Sequence, residues 1–299
     1  MSAIWQTILA WAMSLITFGG LTVMDAPKAP QAPVIPADAL TQELTIMSFN
    51  VYYQDAEERL DAVKETILKE LPDSLGLQEA TGKWKSILSK ALQDKYAMVC
   101  KKGRMFGLDE STPILYLKDK YTLVKQGVFW LSPKPKRTSI GWDAALPRVA
   151  GYAVLKDKTT GFTYLHVNAH FDHMGPIARA NSARMIADFI NEMNLPTVFT
   201  ADVNASPGTP PVQYLQAGGL TDMRDAAPNA DLGGTFHGFN GLNGNTSVID
   251  FVMANQYLKE AAEFKVIRDE YDWKYPSDHF AVAATLTLNS AGEYEVLAK

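Results

Sequence analysis

Residues 196–204 read PTVFTADVN: a short apolar run rich in β-branched side chains, closed by Asp202 and Asn204. Runs of this length and composition read as buried strands. The arrangement recurs along the chain. Asn50 closes IMSFN, Glu79 follows LGLQ, His170 ends YLHVNAH, Asp250 interrupts SVIDFV, and the pair Asp278-His279 leads into FAV. Polar, metal-competent residues at the ends of separate apolar runs predict strand ends that converge on one floor.

Between these runs the apolar period changes to that of a helix. Leu60, Val63, Ile67, Leu68 and Leu71 share one face over residues 57–71, and Pro72 stops the segment. Trp84, Ile87, Leu88 and Leu92 do the same over 81–92, and a longer helix is expected over 177–193. Strands are expected at 44–51, 74–78, 96–100, 113–117, 122–131, 149–155, 162–167, 196–200, 248–253, 264–267 and 280–286, with a hairpin turn at Thr160-Gly161. Pro207–Pro211 opens a short helix, and 226–245 is a Gly- and Asn-rich loop. Helix and strand alternate imperfectly, with hairpins inserted. The expected class is therefore α+β: two mixed β-sheets packed face to face with helices outside, a four-layer αββα sandwich rather than a doubly wound parallel sheet.

The 299 residues are 47% hydrophobic and 20% charged, the balance of a soluble globular protein. A net charge of −5 argues against a basic groove that grips a polyanion along its length. A metal site recruits phosphate locally whatever the global sign. The basic clusters Lys101-Lys102-Gly103-Arg104 and Lys134-Pro135-Lys136-Arg137 read as solvated loop tips. Residues 1–24 carry no charge, long enough at about 1.5 Å per residue to span a bilayer core of roughly 30 Å. Residues 25–43 form a Pro-rich linker, and 44–299 the globular domain. This order suggests export, secreted or anchored in a membrane by the first segment. Without a basic n-region or an A-x-A site, cleavage and retention are both open, as is a helix packed on the domain.

The polar residues also carry a chemical message. Carboxylates and amides are hard oxygen ligands of the kind Mg²⁺ prefers, and histidines exchange protons near neutral pH. Hydrolysis of a phosphate ester needs that combination: a Lewis acid, a base for water and charge stabilisation. Taken singly each residue has a bland reading. Asn50 suits a turn, Glu79 a helix start, Asp202 and Asn204 a cap. Asp250 is different, because a carboxylate within VIDFVM must be paired or ligated. Of the five histidines only His166 lies mid-strand as a core candidate; His170, His173, His237 and His279 fall in or beside the candidate segments. No H-E-x-x-H occurs, and a single cysteine excludes a thiolate-rich zinc site.

IMSFNV, GLQE, NAHFDH, ADVNASP, IDFV and SDHFAV, in this order, resemble the endonuclease/exonuclease/phosphatase (DNase I-like) superfamily over about residues 44–288. GWDAALPR, NAHFDH and TFHGFNG are similar to an uncharacterised bacterial branch related to its deadenylase-like group. The superfamily's DFN is DVN here, with Val203 expected to pack inward. The resemblance implies a metal-dependent phosphoesterase, most readily a phosphodiesterase, with a phosphomonoesterase on sugar or inositol phosphates and a silent binding module as alternatives. It implies Mg²⁺ or Mn²⁺ at Asn50, Glu79 and Asp278. Asp202 would activate water, Asp250 would orient His279 on the scissile phosphate, and Asn204 and His170 would contact phosphate. Trp142, Arg148, His173 and His237 are candidate substrate contacts. The expected partner is a phosphate ester, with no obligate protein partner and a possible membrane association through residues 1–24.

Overall fold

A computed structural model describes residues 34–36, 43–103, 110–243, 246–258, 260–272, 274–288 and 295–297. Its strands, in chain order, are β1 Val34–Pro36, β2 Glu43–Asn50, β3 Ser74–Gln78, β4 Tyr96–Val99, β5 Ile114–Leu117, β6 Tyr121–Trp130, β7 Val149–Asp157, β8 Thr163–His170, β9 Thr197–Asp202, β10 Leu220–Asp222, β11 Asp250–Asn255, β12 Glu260–Ile267, β13 Ala281–Thr287 and β14 Glu295–Leu297. The helices are α1 Ala56–Glu70, α2 Gly82–Ala91, α3 Pro176–Met193, α4 Pro210–Ala217 and α5 Met223–Ala226. Helix α2 starts where expected because the Thr81 side chain accepts the Trp84 N–H.

Two six-stranded sheets carry the fold, ordered β10-β11-β9-β8-β7-β6 and β12-β13-β2-β3-β5-β4. Both are mixed: β8 runs parallel to β9 and β2 parallel to β3, while their other neighbours are antiparallel. Apolar side chains of α1 and α2, among them Val63, Ile67, Trp84 and Leu88, pack on Met47, Phe49, Leu75 and Leu77 of the second sheet. On the first sheet, Ile186 and Ile190 of α3 and Leu215 of α4 cover Leu165, Val167 and Phe199. A third apolar cluster lies between the sheets and includes Leu44, Ile46, Leu155, Val198, Val252, Val282 and Ala284. Helices, sheet, sheet, helices: this is the αββα sandwich.

The period of two explains where the site sits. Residues that face the other sheet change character along each strand. On β2 they run Leu44, Ile46, Ser48, Asn50; on β8 Tyr164, His166, Asn168, His170; on β9 Val198, Thr200, Asp202. Each series passes from apolar core through a neutral polar tier to a site residue. The tier is tied together across the sheets. Gln78 Nε2 donates to Asn168 Oδ1 at 2.7 Å and to Ser48 Oγ at 3.1 Å, and Thr200 Oγ1 donates to Asn168 Oδ1 at 3.1 Å. His166 bridges the sheets, Nδ1 to Ser74 Oγ at 2.8 Å and Nε2 to Thr200 Oγ1 at 2.9 Å. Burial lowers its pKa to about 3, so this histidine is a neutral core residue, as its mid-strand position suggests. The sheets approach so closely here that a Cβ on Gly76 would lie 2.1 Å from Thr200 Oγ1.

The structure departs from the sequence expectations in several places. Part of the 25–43 linker is strand: β1 pairs in parallel with β14. Strand β10 and helix α5 were not anticipated, because three- and four-residue elements hold too few positions to show a period. The 1–24 segment lies outside the described residues. Among the described residues, no helix is long and apolar enough to cross a membrane.

Candidate active site

Asp202 ends β9 with a neighbour on each side. Asp250 is its register partner on antiparallel β11, and His170 its partner on parallel β8. Its Oδ2 accepts Asn50 Nδ2 at 3.0 Å and lies 3.4 Å from His170 Nε2 and 3.8 Å from His279 Nε2. Its Oδ1 accepts the backbone N–H of Asn204 at 2.9 Å. One carboxylate oxygen is thus held between two imidazoles, and one strand-end amide fixes its direction.

His279 precedes β13 and turns its other nitrogen, Nδ1, to Asp250 Oδ2 at 2.9 Å. Burial opposes a charge on this ring. Asp250, by charge and by hydrogen bond, outweighs it with help from Asp202 and Asp278, and raises the pKa to about 10. His279 is therefore an imidazolium at neutral pH, held edge to face against Phe236 at 4.9 Å.

Above this floor opens a cleft of about 500 Å³ lined by Glu79, Arg148, His170, His173, Asp202, Asn204, Asp278 and His279 from the expected set. Glu79 reaches it through a local break in the strand pattern. Gln78 faces the gap between the sheets, so an extended residue 79 would turn to the helices. Instead Glu79 has φ 58°, and the Tyr53 N–H donates to its Oε2 at 2.9 Å. Burial raises the pKa of Glu79, opposed by His170 and reinforced by Glu110; burial likewise raises Asp278, opposed by His279.

Several of the expected site residues already have protein partners. Asn50 is fully buried, its nitrogen given to Asp202 and its oxygen accepting the Tyr52 N–H at 3.1 Å. It positions Asp202, with one lone pair left over. The Asn204 amide nitrogen donates to Phe171 O and lies against His170 Nε2, both at 3.1 Å. His170 Nδ1 lies 3.1 Å from Glu110 Oε1 and 3.0 Å from Arg148 Nη1. Arg148 lines the cleft, but its guanidinium is held by Glu110 at 3.1 Å and Asp172 at 3.5 Å and touches His173 Nδ1 at 3.2 Å. Trp142 does not line the cleft. His237 does not either: it stacks on Phe280 at 4.0 Å, and burial lowers its pKa to about 4, so it is an aromatic support for the segment that carries Asp278.

Five cleft residues lie outside the expected set: Tyr53, Glu110, Leu146, Phe236 and Ile249, of which Glu110 and Tyr53 bring polar groups. Neither closes an apolar run: Glu110 stands in the loop before β5, and Tyr53 follows β2 by three positions.

The donor set suits a hard divalent ion. Glu79 and Asp278 bring carboxylates to the cleft, and burial leaves both short of compensating charge. Deeper, ligand atoms of Asp202, Asp250 and His279 lie within 4.8 Å of one another, and Asp250 Oδ1 is buried without a hydrogen-bond partner.

Comparison with known proteins agrees with this fold. The model of the Endonuclease/Exonuclease/phosphatase family matches residues 47–279. An endonuclease/exonuclease/phosphatase family protein from Bacteroides thetaiotaomicron is 28% identical with a TM-score of 0.77, over 83% of this chain and 99% of that one. A mannosyl-6-phosphatase from the same organism is 29% identical with a TM-score of 0.73, over 82% and 99%. TDP2 from D. rerio, complexed with single-strand DNA product, is 16% identical with a TM-score of 0.67 over 82% and 99%, a likeness of fold alone. No curated protein sequence matches the chain.

Proposed function

Since the chain belongs to the endonuclease/exonuclease/phosphatase family, we propose that it is a divalent-metal-dependent phosphoesterase in which Asp202 and the Asp250–His279 pair drive attack of water on phosphorus. The observation that carries this reading is the placement of Asp202 Oδ2 between His170 and a His279 whose far nitrogen is fixed by Asp250.

Asp202 accepts a proton from water as the new P–O bond forms and the bond to the leaving oxygen breaks. His279, charged and fixed, donates to a non-bridging oxygen as negative charge builds there. His170, with Nδ1 beside Glu110 and Arg148 and Nε2 beside Asp202 and Asn204, keeps the water side of the site oriented. Glu79 and Asp278 would hold a Mg²⁺ or Mn²⁺ ion, which supplies Lewis-acid polarisation of the phosphoryl group when bound.

A phosphodiester is the substrate read from the sequence. A sugar phosphomonoester is the second reading, favoured by the 29% identity to a mannosyl-6-phosphatase. The apolar 1–24 segment and its Pro-rich linker support export, secreted or membrane-anchored, and cell fractionation tests it.

The deciding experiment compares bis-(4-nitrophenyl) phosphate with sugar phosphates, with Mg²⁺, Mn²⁺ or chelator. Metal-dependent release of product that falls by about 10²-fold or more in Asp202→Ala supports the proposal. Chelator-insensitive hydrolysis, or an Asp202→Ala variant as fast as wild type, overturns it.

A further inference from the structure

Beside Glu79 and Asp278 the cleft has a rim of three aromatic residues that none of the chemistry above uses. Tyr53 lines the cleft, Tyr52 packs on it with ring centroids 5.2 Å apart, and Phe239 meets Tyr52 edge to face at 5.0 Å. Phe239 belongs to the loop whose residues 237 and 238 donate their backbone N–H groups to Asp278 O, so the rim and the acidic end of the cleft are one unit. Arg59 braces it from below, its guanidinium 4.3 Å from the Phe239 ring centroid and 5.6 Å from that of Tyr52, with Nη1 tied to Tyr275 O at 2.9 Å.

Two features separate this rim from ordinary packing. Phe239 is 37% exposed although an aromatic ring of its size gains most from burial. Tyr52 and Phe239 also hold φ values of 59° and 64°, left-handed conformations that bulky side chains rarely adopt. Such conformations are costly and collect where a ligand is clamped. The chain turns against its preference at both positions, and each time an aromatic ring joins the cluster packed on the cleft residue Tyr53.

We propose that Tyr52, Tyr53 and Phe239 form a subsite for a pyranose ring in the leaving group of the phosphate ester. The inference rests on the phosphoesterase reading and adds a substrate class to it. A pyranose has an apolar C–H face that lies on an aromatic ring and an edge of hydroxyls that needs acceptors. Both are at hand. The rings are tilted by 54° and 84°, so they form an angled corner with no pair of parallel faces to sandwich a flat base. Next to them stand the exposed Gln54 and the half-exposed carboxylate of Asp55. The acidic rim and the net charge of −5 disfavour a nucleotide that brings further phosphates.

The test uses the full chain with Mg²⁺ and compares a hexose 6-phosphate with glycerol phosphate, an acyclic ester of similar charge. Phe239→Ala lowers kcat/KM on the hexose ester about tenfold more than on glycerol phosphate, mostly through KM, and Phe239→Tyr restores the ratio. An unchanged ratio, or no rescue by tyrosine, overturns the subsite. Saturation-transfer NMR with methyl pyranosides, glycerol and nucleosides reads the rim without any chemistry. Pyranoside signals that vanish in Phe239→Ala support it; no pyranoside signal in wild type, or preference for a nucleoside, overturns it. Wild-type protein that hydrolyses neither ester nor bis-(4-nitrophenyl) phosphate defeats the phosphoesterase reading instead, and the NMR result still decides the subsite.

Discussion

Asp202 and Asp250 are register partners on β9 and β11, and their carboxylates address the same imidazole from its two nitrogens: Asp250 at 2.9 Å from Nδ1 of His279, Asp202 at 3.8 Å from Nε2. Sheet pairing alone sets this spacing. It leaves Asp250 to stabilise charge on the ring and Asp202 to act on what lies above it.

Replacing Asp250 by Asn keeps the shape and removes the charge that raises His279. The imidazolium is then unsupported in a buried site, and its pKa falls from about 10 toward or below its ordinary 6.5. Turnover at neutral pH is expected to drop by about 10²–10³-fold. Following the His279 ring by NMR against pH checks the cause. A ring that still titrates near 10 in Asp250→Asn removes the assignment.

His166 and His279 make opposite demands on pH. His166 is neutral in the fold, with its pKa lowered to about 3, so the unfolded chain binds a proton below 6.5 that the native protein refuses. Its contribution is present above 6.5 and is lost as pH falls toward 3, by up to about 1.4 kcal/mol per unit. The raised pKa of His279 works the other way: that stabilisation is complete below 6.5 and is lost as pH rises through about 10. Chemical denaturation across pH 4–10 should give a stability maximum near neutrality. His166→Gln should flatten the acid limb and leave the alkaline limb; an acid limb of unchanged slope contradicts this account.

The sheets were legible because strand ends carry the chemistry. Asp202, Asp250, His170 and His279 each close or open an apolar run, and the period of two places them on one face of the paired strands. Glu79 and Asn204 are less regular, since both depend on left-handed residues, with φ 58° and 50°, that sequence period does not encode. His237 misled for a physical reason. A histidine beside aromatics in TFHGF reads equally as a ligand contact and as a stacked ring, and only tertiary packing on Phe280 decides. Asn204 lines the cleft beside His170, and its amide nitrogen also donates to Phe171 O, a contact that no sequence period encodes.

The polar tier beneath the site depends on Gly76. A methyl there would sit 2.1 Å from Thr200 Oγ1 and 2.4 Å from Asn168, so the sheets must part or the tier must rearrange. Gly76→Ala is expected to destabilise by about 1–3 kcal/mol, the usual range for overpacking. Because Thr200 lies two residues before Asp202 and Asn168 two before His170, turnover should fall with it. Urea denaturation and single-substrate kinetics on the same sample measure both. A variant of wild-type stability shows that the sheets are not held at this separation.

Glu79 provides the sharpest separation between folding and chemistry. Its carboxylate is largely buried, its pKa is raised by that burial, and Glu110 adds to the excess of negative charge. Glu79→Gln removes a charge that the apo protein gains nothing from keeping, while the Tyr53 N–H retains an oxygen to donate to. The metal-free variant should therefore melt at or slightly above the wild-type temperature. Divalent-dependent hydrolysis should be lost, and with it the rise in melting temperature that Mg²⁺ or Mn²⁺ gives a protein binding it in the folded state alone. Melting curves of both proteins with and without metal are sufficient. A Glu79→Gln variant stabilised by Mg²⁺ as strongly as wild type moves the ion away from Glu79, toward the Asp202–Asp250–His279 group below.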